Sequence, residues 1–217
     1  MPVNDIRPVK TALREKYRRL RQEMPADERA ACDAAIAARV RGLWQYRRCR
    51  TVLVYVSTPI EVDTYGIIRQ AIADGKRVAV PRCVPGTRHM DFHLISSTQE
   101  LSPGTFGVYE PDPERHEKLT RLDEGLCLVP AFSYDHGGYR LGYGKGYYDR
   151  FLSRFGGDVV GICYSCCVQR TLPHGRFDRP VDLLVTDKFL RRTGKSRSDR
   201  KGLQYKTDSR GEHHGRG

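Results

Sequence analysis

The stretch Ala131 to Leu152, AFSYDHGGYRLGYGKGYYDRFL, constrains the fold most, because it sets five glycines with arginine, lysine and aspartate at the mouth of a strand. The preceding run Gly125 to Phe132, GLCLVPAF, has the continuous apolar character of a short buried strand. Beyond the glycines, Tyr148, Phe151, Leu152 and Phe155 fall at i, i+3, i+4 and i+7, which is the stripe of an amphipathic helix. The unit is therefore strand, loop and helix. Glycines let backbone N–H groups approach an anion without a Cβ in the way, and the helix start adds positive potential.

Neither common nucleotide signature fits. A Walker A loop needs glycine where Tyr139 stands and Ser or Thr where Gly146 stands, and a dinucleotide fingerprint needs its third glycine at Tyr147. By spacing alone the stretch is either an anion cradle or a tight turn with helix-capping glycines.

A chain of 217 residues with 39% hydrophobic and 29% charged residues suits one globular domain. No apolar run approaches the roughly 20 residues of a membrane span, and MPVNDIRPVK lacks the apolar core of a signal peptide, so a cytoplasmic protein is expected. Seven scattered cysteines read as reduced thiols. Cys163, Cys166 and Cys167 contain one CxxC without a second, a weak basis for a zinc site against core filling. The net charge of +12 is divided: from Arg191 on, nine Lys or Arg stand against three Asp or Glu, so +6 lies there. That segment has almost no apolar residues, and a disordered basic tail over 192–217 is expected after a domain over 1–191. Such a tail can hold nucleic acid weakly, but it has nothing to read bases with.

Two helices open the chain: Val9, Leu13, Tyr17 and Leu20 keep helical spacing, and an alanine-rich segment runs from about Asp27 to Trp44. Strands then alternate with helices: TVLVYVS from Thr51 to Ser57, a helix from Thr64 to Ala73 with Asp63 as N-cap, and RVAV from Arg77 to Val80. A half-exposed strand follows at Met90 to Ile95, and, after the glycine unit, strands at Asp158 to Tyr164 and Val181 to Thr186. The pattern predicts an α/β fold of three layers, with a largely parallel central sheet flanked by helices. In such sheets ligands sit beyond the carboxyl ends of strands, so Glu61 and the glycine loop could face one crevice. For Glu61, a solvated carboxylate at a loop–helix junction is the other reading.

The pattern Asp135-x-x-Gly138-x-Arg140-Leu141-Gly142-x-Gly144-x-Gly146-Tyr147-Tyr148-Asp149-Arg150 resembles the signature of the 5-formyltetrahydrofolate cyclo-ligase family, also called methenyltetrahydrofolate synthetases. Lys10 to Arg14 (KTALR), Pro59 to Thr64 (PIEVDT), Gly107 to Pro111 (GVYEP), Leu172-Pro173 and Asp178 to Thr186 (DRPVDLLVT) extend the resemblance over roughly residues 10 to 187. It implies an ATP- and Mg²⁺-dependent ligase that closes the formamide of 5-formyltetrahydrofolate onto N10 to give 5,10-methenyltetrahydrofolate. In the family's mechanism the formyl oxygen attacks the γ-phosphate, N10 attacks the activated carbon, and phosphate departs. No protein nucleophile is needed; catalysis rests on positioning and charge neutralisation.

By this resemblance Lys10 and Arg14 contact ATP phosphates, and their i, i+4 spacing puts both charges on one helix face, which spacing alone would equally allow to be solvated. Arg140, Leu141, Gly142, Tyr143, Gly144, Lys145, Gly146, Tyr147 and Tyr148 are implied as ATP contacts, with Lys145 and Arg140 catalytic and Tyr143 to Tyr147 also touching the folate. Glu61 is implied to accept paired N–H bonds from the pterin, with Val56 and Phe106 as apolar contacts, although core packing also explains both. Asp149 and Asp178 match the magnesium positions; on residue grounds alone, Asp149 could also be a first-turn helix acid and Asp178 a turn residue.

Three features depart from the family pattern. Phe177 stands where the family commonly has histidine, and neither the Cys163, Cys166, Cys167 cluster nor the basic tail belongs to it. The alternatives are a non-catalytic folate- or nucleotide-binding relative and a nucleic-acid-binding module using the tail. A monomer acting on 5-formyltetrahydrofolate and ATP, with no membrane partner, is expected.

Overall fold

The structure, a computed structural model, describes residues 5–104 and 107–193. Helices α1 (Arg7–Gln22), α2 (Ala26–Gly42) and α3 (Trp44–Arg48) open the chain. The second helix stops before the expected Trp44 because Leu43 turns extended (φ −63°, ψ 138°), burying its side chain. Then come β1 (Thr51–Val54), α4 (Tyr65–Ala73), β2 (Arg77–Cys83), β3 (Met90–Ile95) and a small ribbon of β4 (Ser102–Pro103) and β5 (Tyr109–Glu110). β6 (Leu126–Val129), the hairpin β7 (Ser133–Asp135) and β8 (Arg140–Leu141), α5 (Tyr147–Arg154), β9 (Asp158–Ile162), β10 (Val168–Gln169), β11 (Leu183–Val185) and β12 (Leu190–Arg192) complete the order.

The main sheet runs β12-β11-β9-β6-β1-β2-β3, parallel in its five central strands and antiparallel at both edges. The parallel part arises because β1, β6 and β9 are apolar at nearly every position and buried along their whole length, as a sheet covered on both faces requires. β3 is more buried than its alternation implies. The segment at Glu117 to Leu119 lies along its outer edge, with Leu94 donating to the Glu117 carbonyl and Leu119 to that of Phe92.

One expectation changes at α1. Val9 is 53% exposed, and the inward face carries Lys10, Leu13, Arg14, Tyr17 and the fully buried Arg21 instead. Cations turn inward here because carbonyls and a carboxylate wait for them. At α4 the Asp63 carboxylate does accept from the first helical N–H, that of Tyr65, at 3.0 Å, although Thr64 occupies the cap position.

The glycine stretch is also more structured than a loop. Its first half folds into the β7–β8 hairpin, which joins β10 in a small sheet of its own. Asp135 organises it: one carboxylate oxygen accepts from the amides of Gly137 and Tyr139 and the other from that of Leu172. Tyr134 lies wholly buried against β9, where a Cβ on Gly161 would come within 2.5 Å of its ring. The C-terminal edge strand carries ordered pairing past 191: Thr193 donates its amide to the Asp182 carbonyl. The remainder of the tail, from 194, lies outside the described residues.

Gly161→Ala should therefore lower stability by about 1–3 kcal/mol, the usual penalty for overpacking a close-packed interior. A urea-unfolding midpoint equal to that of the parent protein would show that the hairpin does not rest on β9 as described.

Candidate active site

The strand order reverses between β1 and β6. β1 leads outward to β2 and β3, whereas β6, next to β1 on its other side, leads outward to β9 and β11. A crevice opens beyond the carboxyl ends of two such neighbours. The segment carrying Glu61 leaves β1, and the hairpin with the second half of the glycine stretch leaves β6, so both reach the same crevice.

Glu61 is 7% exposed and thus no solvated junction residue. One carboxylate oxygen accepts from the Thr58 amide and hydroxyl, each at 2.9 Å; the other accepts from the Tyr143 hydroxyl at 2.8 Å. Tyr143 belongs to the glycine loop, and its ring packs on Phe132 with centroids 4.6 Å apart. Burial of the phenol, together with the Glu61 carboxylate, pushes its pKa well above the ordinary range. Val56, 3% exposed, lies two residues past β1, which ends at Val54 and not at the expected Ser57, and Phe106 lies outside the described residues.

The loop from Gly142 to Gly146 depends on glycine at two points. Gly144 and Gly146 have φ of 92° and 74°, in the left-handed region, and Gly146 caps α5. Arg14 lies over this loop, donating through Nε to the Gly142 carbonyl at 2.7 Å. Burial lowers its pKa, against the opposing influence of Asp178. One turn earlier, Lys10 Nζ bonds Asp178 Oδ2 at 2.7 Å. The side chain of Lys145 is exposed at the apex.

Arg140, 9% exposed, bridges two segments: it donates to Asp149 Oδ1 and to the Arg179 carbonyl, both at 2.6 Å. Asp149 Oδ1 also accepts from the Arg179 amide at 3.1 Å. Lys10, Arg14, Arg140, Asp149, Asp178 and the glycine loop thus form one connected cluster, and Tyr143 links it to Glu61. Tyr147 reaches out to the Thr87 carbonyl at 3.4 Å, whereas Tyr148 points inward with a buried hydroxyl that has no partner among the described residues. Leu141 is buried.

Asp149 Oδ2 and Asp178 Oδ1 accept no hydrogen bond among the described residues, so each carboxylate keeps an oxygen for a cation. Two carboxylates, with remaining positions for phosphate and water, form a donor set that fits Mg²⁺. Among the described residues no three His, Cys, Asp or Glu side chains gather as a metal site. Cys163 and Cys167 are buried, Cys166 is exposed, and Phe177 is 72% exposed.

Sequence reasoning missed Arg21, Arg29, Asp33, Thr58 and Tyr164 around the crevice. Arg21 was findable: Lys10, Arg14 and Arg21 continue one helix stripe through i, i+4 and i+11, with Tyr17 between. Its Nη2 bonds the carbonyls of Ala131 and Phe132 at 2.5 and 2.9 Å, and Nη1 that of Ile60 at 3.3 Å.

Burial works to raise the Asp178 pKa, but the Lys10 ammonium and the Gly175 amide prevail and hold it below the ordinary carboxylate value. Its contribution to stability is complete above the unfolded value of about 4 and fades as pH falls through the folded one. Lys10→Met should therefore depress the melting temperature at neutral pH and progressively less below about pH 4. A depression that does not vary with pH would contradict the pairing.

The model of the 5-formyltetrahydrofolate cyclo-ligase family matches residues 6–187. The 5-formyltetrahydrofolate cyclo-ligase of Saccharomyces cerevisiae is 31% identical over 201 residues, covering 81% of this chain and 94% of the yeast protein. Among solved structures, the NMR structure of Aquifex aeolicus 5,10-methenyltetrahydrofolate synthetase superposes with a TM-score of 0.76 at 31% identity, covering 86% of this chain and 94% of that one. A 5,10-methenyltetrahydrofolate synthetase from Mycoplasma pneumoniae shares the fold, with a TM-score of 0.63 at 23% identity over 82% of this chain and 98% of that one.

Proposed function

The chain belongs to the 5-formyltetrahydrofolate cyclo-ligase family, and on that premise we propose that it converts 5-formyltetrahydrofolate to 5,10-methenyltetrahydrofolate with ATP as co-substrate and Mg²⁺. The observation that carries this reading is the 2.8 Å bond between Tyr143 and Glu61, which joins a phosphate-type glycine loop to a buried carboxylate suited to a pterin. A ligase of this kind must bring a polyanion and a pterin to one place, because the formyl oxygen has to reach the γ-phosphate.

The chemistry needs little from the protein except placement. A formamide resists attack because nitrogen donates into its carbonyl and the oxygen would leave as hydroxide. Transfer of the γ-phosphoryl group to that oxygen makes it a good leaving group; N10 then bonds the carbon and loses its proton, and the C–O bond breaks to release phosphate, which can carry that proton away. Lys10, Arg14 and Arg140 hold the phosphates, with the Gly142–Gly146 backbone approaching them, and Lys145 meets the transferring group. Leu141, Tyr147 and Tyr148 flank the nucleotide. Glu61 orients the pterin by accepting from its 2-amino-4-oxo face, and Val56 and Phe106 supply apolar contact. Asp149 and Asp178 would hold Mg²⁺, whose part is to neutralise phosphate charge.

No helix among the described residues is long and apolar enough to cross a membrane, and none of the seven cysteines forms a disulfide. A reducing compartment such as the cytoplasm suits both, with the chain acting as a monomer.

Lys145→Ala should abolish ATP-dependent formation of the methenyl product, followed by its near-ultraviolet absorbance, while leaving the melting temperature unchanged, since an exposed loop lysine adds little to a core. Near-parental turnover would remove Lys145 from its role. Asp149→Asn should raise the Mg²⁺ concentration needed for half-maximal turnover several-fold, and an unchanged metal titration would exclude Asp149 as a ligand.

A further inference from the structure

We propose that Asp33, on α2, is a second substrate-reading carboxylate that accepts an N–H of the reduced pterin beside Glu61. This inference rests on the assignment of the crevice to the folate. A cavity of about 430 Å³ opens there, and its lining includes Asp33 and Arg29 from α2, Thr58 and Glu61 from the segment after β1, and Tyr65 and Tyr109.

Asp33 is built into this wall. Its Oδ1 accepts from the Tyr164 hydroxyl at 2.8 Å and from the Asp63 amide at 3.1 Å, which fixes the side chain. The same Tyr164 hydroxyl lies 3.2 Å from the Glu61 carbonyl, so one phenol anchors both acidic residues. Oδ2 accepts no hydrogen bond among the described residues. Arg29, one turn earlier on α2, favours the ionised carboxylate through space but spends its donors elsewhere, on the carbonyls of Pro59 and Arg21. The result is a half-buried carboxylate with one oxygen committed to the fold and one left for a ligand.

The chemistry of the substrate supplies the match. A tetrahydropterin formylated at N5 presents N3–H, a 2-amino group and N8–H along one edge, more donors than a single carboxylate accepts. Glu61 already takes three hydrogen bonds from Thr58 and Tyr143. A second acceptor on the facing helix takes the remaining donor and favours entry of the donor-rich pterin over the anionic glutamate end, which two carboxylates repel.

Asp33→Asn separates the two oxygens, since the amide oxygen still accepts from Tyr164 and the Asp63 amide while the charge toward the cavity is lost. Calorimetric titration with 5-formyltetrahydrofolate, without ATP, should show affinity weakened about tenfold or more, the effect of one charge-assisted hydrogen bond. The KM for ATP should stay within about twofold, because the α2 wall is not part of the phosphate cluster. Should the Asn variant not fold, Asp33→Ser keeps a hydroxyl acceptor and should show the same selective loss. Parental affinity for 5-formyltetrahydrofolate in the folded variant, or equal losses for folate and ATP, would overturn the role of Asp33 alone. A parent protein that binds no 5-formyltetrahydrofolate would overturn the folate assignment together with it.

Discussion

The guanidinium of Arg21 is the contact on which the crevice depends. It is 1% exposed and has no carboxylate partner among the described residues, an arrangement that is costly unless polar atoms surround the charge. They do: three carbonyls, from Ile60, Ala131 and Phe132, converge on it, and the Cys163 sulfur lies 3.4 Å away. The rings of Phe132 and Tyr164 flank it at 5.7 and 5.6 Å. Those carbonyls belong to the two segments that leave β1 and β6, so one cation from α1 ties both walls of the crevice to the same point. Burial alone would raise the Cys163 pKa; its hydrogen bond to Cys167 and the neighbouring Arg21 outweigh that and lower it. The two buried cysteines, Cys163 and Cys167, therefore act in the core as an electron-rich lining for a buried charge.

From this anchor the cationic side of the crevice follows. Lys10 and Arg14 lie on the same helix face as Arg21 and reach Asp178 and the Gly142 carbonyl, so α1 closes over the glycine loop like a clasp. These cations and Arg140 are held by carboxylates and carbonyls of the protein, which keeps them oriented. A polyphosphate bound there as proposed would exchange partners with them and need not order free side chains, which would lower the entropic penalty of binding.

Much of this architecture was legible in the sequence, for physical reasons that differ by element. β1, β6 and β9 announced themselves because strands buried on both faces need unbroken apolar runs, and the glycines at 144 and 146 did so because a left-handed backbone demands them. The pairing of Lys10 with Arg14 followed from helical spacing. The β7–β8 hairpin was hidden: its strands are two and three residues long, too short for alternation to register, and their third partner, β10, arrives some thirty residues later. Arg21 and Asp33 were hidden for another reason. Charged residues on amphipathic helices ordinarily face water, and only tertiary structure reveals that carbonyls at the strand ends, or a tyrosine hydroxyl, wait on the inner side. Val9 was misplaced by the same logic in reverse.

The edges of the main sheet have a consequence for how the molecule behaves among its own kind. β3 is shielded along its outer side by the segment at Glu117 to Leu119, and β12 is a three-residue strand whose exposed side chains include Arg191 and Arg192. A ledge so brief and so positively charged is a poor template for another polypeptide to dock on by main-chain pairing. Among the described residues the main sheet thus offers little open edge to recruit neighbours, a safeguard against sheet-to-sheet aggregation that leaves the crevice, at the far ends of the inner strands, untouched.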